Sequence, residues 1–81
     1  MRLDKLLKVS RLIKRRTVAK EVCDAGRIEV NGRPAKASTE VKPGDTIVIG
    51  YGHRQLKVEV VALADNVRAD QARELYRELE G

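Results

Sequence analysis

Leu3, Leu6 and Leu7 recur at i, i+3 and i+4, the spacing that lines one face of a short helix and leaves Arg2, Lys5 and Lys8 off it. Ser10 to Arg16 breaks the pattern and reads as a loop, with Leu12 and Ile13 as its anchors to a core. Thr17 is placed to cap a second helix, because its hydroxyl can accept a free first-turn amide. That helix runs through VAKEVCDA with Val18, Ala19, Val22 and Cys23 on one face, and Gly26 ends it, since glycine enters the left-handed region without steric cost. The first third of the chain is thus a helix–loop–helix with its loop at the joint.

Beyond Gly26 the period changes. RIEV alternates, Asn31-Gly32 is a strong hairpin signal, and RPAKAST gives a short return segment that Pro34 restricts to an edge. Lys42 to Asp45, KPGD, reads as a second turn. TIVIGY and QLKVEVVAL are the best strand candidates, the second alternating at Leu56, Val58 and Val60, with Gly50 and Gly52 marking a turn or bulge between them. From Asp65 the spacing of Val67, Ala72, Leu75 and Leu79 predicts a helix over about 66–80 with acids on its outer face. The expected class is α+β in a single domain over 1–81, with a core over 1–63 and a short C-terminal helix.

Charge alters this picture because of where it lies. Residues 1–20 carry eight cations against Asp4 alone, a net of +7, whereas residues 21–81 carry nine against eleven acids, a net of −2. A local positive field beside a mildly acidic body suits an anionic polymer better than general solubility. One cysteine excludes an intrachain disulfide and a Cys-rich metal centre, and no metal or other cofactor is expected. The N-terminal MRLDKLLKVS has no apolar run long enough for a signal peptide or membrane span, so a cytosolic chain that avoids membranes is expected.

Catalytic constellations fare poorly. His53 sits in a Gly-flanked turn far in sequence from Ser10 and Cys23, and 81 residues supply little room for a pocket holding paired carboxylates. Cys23 on an apolar helix face reads as a small buried hydrophobe. No Walker-type sequence occurs, and Gly50-Tyr51-Gly52 lacks the third glycine of a dinucleotide loop. The expectation is a protein without enzymatic activity. With no Phe or Trp and only two Tyr, base stacking contributes little; Tyr51 could stack on a base, but packing at the core edge is the expected role. Recognition would then run through phosphates and sugars.

The cations of helix one and the loop supply that surface. Arg2, Arg11, Arg15 and Arg16 offer forked donors suited to phosphate, Lys5, Lys8 and Lys14 add point charges, and helix two directs its positive end at the same loop. Arg16 is the first choice and Arg2 the second, with Lys20 and Lys36 at the rim. Arg27 and Arg33 are assigned to pairing with Glu29 across the hairpin. As a loop cation, Arg16 should contribute little to folding. Helix two offers Lys20, Glu21 and Asp24 on its exposed side, two of them repelled by phosphate, which argues against a DNA recognition helix.

RLDK at Arg2 to Lys5, Ser10-Arg11, the small-residue helix ending at Gly26, Val30-Asn31-Gly32 and Lys42-Pro43-Gly44-Asp45 together resemble the RNA-binding domain first named for ribosomal small-subunit protein four. The likeness covers about residues 1–50. It implies two helices packed on a small antiparallel sheet, with a basic face turned to structured RNA. Carried onto this chain, the RNA-contacting positions are Arg2, Lys5, Lys8, Arg11, Lys14, Arg15 and Arg16. Such domains also ride on pseudouridine synthases and tyrosyl-tRNA synthetases, but 81 residues hold neither catalytic domain.

Over nearly its whole length the chain is similar to stand-alone members that act in bacterial ribosome quality control. That likeness implies a ribosome-associated factor whose partners are large-subunit rRNA, peptidyl-tRNA and a protein that recruits alanyl-tRNA. There it would hold tRNA in the P site during untemplated alanine tailing. A monomer is expected. The alternative within the same family is an rRNA-binding protein of subunit assembly or heat-shock recycling.

Overall fold

The computed structural model describes residues 1–79, the side chain of Tyr51 apart. Two helices, α1 (Leu3–Val9) and α2 (Arg16–Asp24), precede strands β1 (Ile28–Val30), β2 (Arg33–Pro34), β3 (Thr46–Tyr51) and β4 (Arg54–Val60). A 3₁₀ helix (Ala69–Leu75) then leads into β5 (Tyr76–Leu79). The five strands form one antiparallel sheet in the order β2-β1-β3-β4-β5. The helix–loop–helix and the sheet are those expected, so the class is α+β.

One face of the sheet closes over the helices. Ile28, Ile47, Ile49, Val58 and Val60 alternate inward and meet Leu3, Leu6 and Leu7 of α1 and Ala19 and Cys23 of α2, all of them buried. Removing each large aliphatic side chain from water stabilises the fold by about 1.5–3 kcal/mol. Ile13 joins this core and Leu12 packs partly against it, so the cationic loop is held from beneath by its two apolar residues. Val18 departs from the expected face and is exposed.

The turns follow the glycine and asparagine positions. Asn31 and Gly32 take φ of 53° and 82°, as a two-residue hairpin requires, and Gly26 follows α2 with φ of 74°. Asp45 fastens the two turn motifs together: Asn31 Nδ2 donates to its Oδ1 at 3.1 Å, and the Lys42 amide to its Oδ2 at 3.0 Å. The Thr46 amide closes the knot on Asn31 Oδ1 at 2.9 Å.

Two expectations fail in detail. Thr17 does not cap α2: the helix begins two residues earlier, at Arg16, with Arg15 at the N-cap and no side-chain cap bond. The helix expected over about 66–80 is a 3₁₀ turn ending at Leu75, after which the chain straightens into β5. The open edge of β4 explains the second difference. Pairing Val60 with Tyr76 through Lys57 with Leu79 satisfies backbone groups that an isolated helix would leave on that edge. Arg77 adds a 2.7 Å contact to Glu59 across the pair. Ala72 and Leu75 still turn inward, and the part of the expected helix beyond Leu79 lies outside the described residues.

Candidate RNA-binding surface

The N-terminus is fixed before any side chain acts. Leu3 N–H donates to the Thr39 carbonyl at 2.8 Å, Asp4 N–H to Ala37 at 3.1 Å, and Val41 N–H to Met1 at 2.9 Å. The terminal ammonium lies 2.8 Å from Glu40 Oε2. These bonds hold Arg2 at the start of α1 and bring the segment bearing Lys36 beside it.

Asp4 is the centre of the surface. Its carboxylate is almost wholly buried and accepts from two arginines. Arg2 approaches through Nε at 3.3 Å and Nη2 at 3.4 Å, and Arg16 through Nε at 3.2 Å and Nη2 at 3.4 Å. The Lys5 amide adds a third donor at 2.8 Å. Burial pushes the Asp4 carboxyl upward, but the hydrogen bond and charge of Arg16, the charge of Arg2 and the Lys5 amide outweigh it and hold the group below its ordinary 3.8.

Each guanidinium spends only its Nε–Nη2 edge on Asp4 and stays about half exposed, at 48% for Arg2 and 47% for Arg16. The remaining N–H donors of both have no partner among the described residues and can take a second anion. The expectation that Arg16 is a loop cation of little structural weight is therefore corrected. It is the first residue of α2 and ties that helix to α1 through a buried carboxylate.

The other predicted residues distribute around this clamp. Arg2, Lys5 and Lys8 follow one another at three-residue steps, about 4.5 Å each along the α1 axis, forming one ridge. Arg11 continues beyond the helix in a left-handed conformation, φ 65°, with its amide donating to the Lys8 carbonyl at 3.0 Å. This is the helix-ending position at which glycine is usual. Lys14 and Arg15 are exposed in the joint, and Lys20 lies one turn beyond Arg16 on the same face of α2. The α2 ladder starts with Ala19 N–H on the Arg15 carbonyl, which leaves the first-turn amides and their partial positive charge facing the joint. Among the described residues Lys8, Arg11, Lys14, Arg15, Lys20 and Lys36 form no ion pair.

Lys5 differs, because its Nζ sits 2.8 Å from Asp65 Oδ1. The pairing of Arg27 or Arg33 with Glu29 expected across the hairpin does not occur among the described residues. Cys23 is buried, and burial together with the Asp4 and Asp24 carboxylates pushes its thiol up to about 11, which suits packing and not nucleophilic attack. Two participants escape a sequence reading centred on cations, Asp4 and Asp65. Asp4 carried a signal, as the only acid among twenty residues with eight cations. Asp65 carried none, since its contact with Lys5 joins positions sixty apart.

Residues 1–47 match the S4 domain family. The chain belongs to that family. It is 59% identical over 76 residues to the RQC P-site tRNA stabilizing factor of Halalkalibacterium halodurans, covering 94% of this chain and 86% of that protein. It is 55% identical over 76 residues to the factor of the same name from Bacillus subtilis, covering 94% and 88%. The trimeric structure of Vibrio cholerae heat shock protein 15 superposes with a TM-score of 0.89 at 35% identity, covering 98% of this chain and 81% of that one. The Arg2–Asp4–Arg16 cluster and the cations of α1 and the joint lie within the residues that match the S4 domain.

Proposed function

We propose that this chain is a non-catalytic RNA-binding factor of bacterial ribosome quality control. It binds large ribosomal subunits that carry peptidyl-tRNA and holds the tRNA in the P site while alanine is added without a template. The arginine pair on Asp4 carries the reading. Two guanidiniums fixed by one buried carboxylate present their free donors in a set geometry, which suits the phosphates of folded RNA better than mobile surface lysines do. The names of the relatives at 55–59% identity support the target and the process. Large-subunit rRNA and tRNA are the nucleic-acid partners, and a protein that recruits alanyl-tRNA acts on the same subunit. The chain works in the cytoplasm, on the ribosome, as a monomer.

Co-sedimentation with purified large subunits, empty or loaded with peptidyl-tRNA, tests this function. Preference for the loaded subunit, lost in Arg16→Ala, is expected. The likeness to heat shock protein 15 favours a second reading, an rRNA-binding protein of assembly or subunit recycling. Equal binding to empty and loaded subunits would select that one.

A further inference from the structure

Lys8, Val9, Arg11 and Lys14 line a groove of about 250 Å³ together with Asp65, Asn66 and Val67, from the extended segment between β4 and the 3₁₀ helix. It is smaller than the usual 300–1,000 Å³ of a small-molecule site, and its walls are mostly polar or charged. Three cations that form no ion pair among the described residues suit a phosphate. A carboxylate in the same lining does not, because it repels the same phosphate. Asp65 is exposed, with its Oδ1 2.8 Å from Lys5 Nζ, while Oδ2 has no hydrogen-bond partner among the described residues. The Asn66 side chain likewise has none among them, and it can both donate and accept.

We propose that this groove takes one sugar–phosphate unit of RNA and reads its ribose. The three cations take the phosphate, Asp65 Oδ2 accepts a hydrogen bond from the 2′-hydroxyl, and Asn66 bonds the same hydroxyl or its neighbour. A 2′-hydroxyl is the feature that separates RNA from DNA at one site, and it is a donor that a carboxylate can recognise while still disfavouring phosphate. Lys5 orients the carboxylate and offsets its charge. The inference rests on the RNA-binding function proposed above and adds a specificity-determining pair, Asp65 and Asn66, from outside the region that matches the S4 family.

The test measures affinities, by fluorescence anisotropy, for one labelled RNA hairpin, its 2′-O-methyl form and its all-deoxy form. The methyl form keeps the RNA-like helix but removes the donor, and the deoxy form removes the donor without adding bulk. The wild type should bind the RNA about tenfold more tightly than either analogue, the scale of one hydrogen bond to a charged acceptor. Asp65→Ala should close that gap while binding the analogues as well as or better than the wild type, since a negative charge is gone. Asn66→Ala should narrow it. Asp70→Ala, which removes an acid paired with Arg68 outside the groove, should leave the gap intact. A wild-type protein that does not distinguish the three probes, or an Asp65→Ala variant that keeps the full gap, overturns the ribose assignment and leaves the RNA-binding function standing. Failure of the wild type to bind the RNA at all overturns both.

Discussion

Arg16 and Asp4 are twelve positions apart in the chain yet meet through two contacts of 3.2 and 3.4 Å, so the start of α2 is fastened to the first turn of α1. The same guanidinium that neutralises a buried carboxylate keeps its outer edge exposed, so under the proposed function the pair would link stability to recognition. Arg16→Ala leaves Asp4 with Arg2 and the Lys5 amide, and the variant should lose about 1 kcal/mol, allowing for the half-exposed arginine. In a domain of this size that lowers Tm by roughly 4–8 °C. Arg16→Lys keeps a charge but not the fork, and should recover part of the stability with little of the RNA affinity. Thermal melts paired with RNA titrations of both variants check this. Unchanged melting in Arg16→Ala would mean that the contact does not hold the helices together.

Acid should weaken the fold through the same carboxylate. Asp4 and Asp45 are both buried yet held below 3.8: at Asp4 the arginines outweigh burial, and at Asp45 the Asn31 side chain and Lys42 do so. A carboxyl whose folded value is depressed binds its proton more readily in the unfolded chain. Its contribution is complete above the ordinary value and disappears as pH falls through the lower, folded one. Urea midpoints should therefore hold steady down to about pH 4 and drop below it, and Asp4→Asn with Asp45→Asn should flatten that drop. Asp65 is also held low by Lys5, but it is exposed, and its share in the drop should be slight.

Affinity for RNA should fall steeply with salt. Lys8, Arg11 and Lys14 share the one phosphate of the groove, so with Arg15 and the outer edges of Arg2 and Arg16 the surface makes four phosphate contacts if all engage, which gives a log–log slope of about −3 to −4. Lys20→Ala and Lys36→Ala then report whether the rim takes part. Each should reduce the slope by a little under one unit if its ammonium releases a counterion, and leave it unchanged otherwise. A slope near zero for the wild type would remove the electrostatic basis of the surface.

The parts legible in the sequence are those where local chemistry and long-range packing agree. Leu3, Leu6 and Leu7 needed only their spacing, and Asn31-Gly32 only its need for positive φ. At residues 66–79 the two disagree. Gln71 to Leu79 is rich in good helix formers, yet β4 offered an unpaired edge, and tertiary pairing overrode propensity. The start of α2 moved for a similar reason, because Arg16 is drawn onto Asp4 and enters the helix ahead of Thr17. The cations of the surface were visible as composition, but their division into clamped, paired and free groups depends on Asp4 and Asp65. Only the folded chain brings those two to their partners.

Arg11 supplies a prediction whose two halves have opposite signs. Its φ of 65° costs a residue with a β-carbon roughly 1–2 kcal/mol, and glycine at the same position would avoid that while losing about 0.5–1 kcal/mol to a freer unfolded chain. Arg11 makes no ion pair among the described residues that could offset the difference. Arg11→Gly should accordingly be more stable than the wild type by up to about 1 kcal/mol while binding RNA more weakly and with a shallower salt dependence. Arg11→Ala, which keeps the strain and removes the charge, separates the two effects: it should match the glycine variant in RNA affinity but not in stability. Equilibrium unfolding and RNA titration on the three proteins decide the matter. If the glycine variant gained stability and kept full affinity, the strained arginine would have no part in recognition, and the groove it lines would lose one of its three cations.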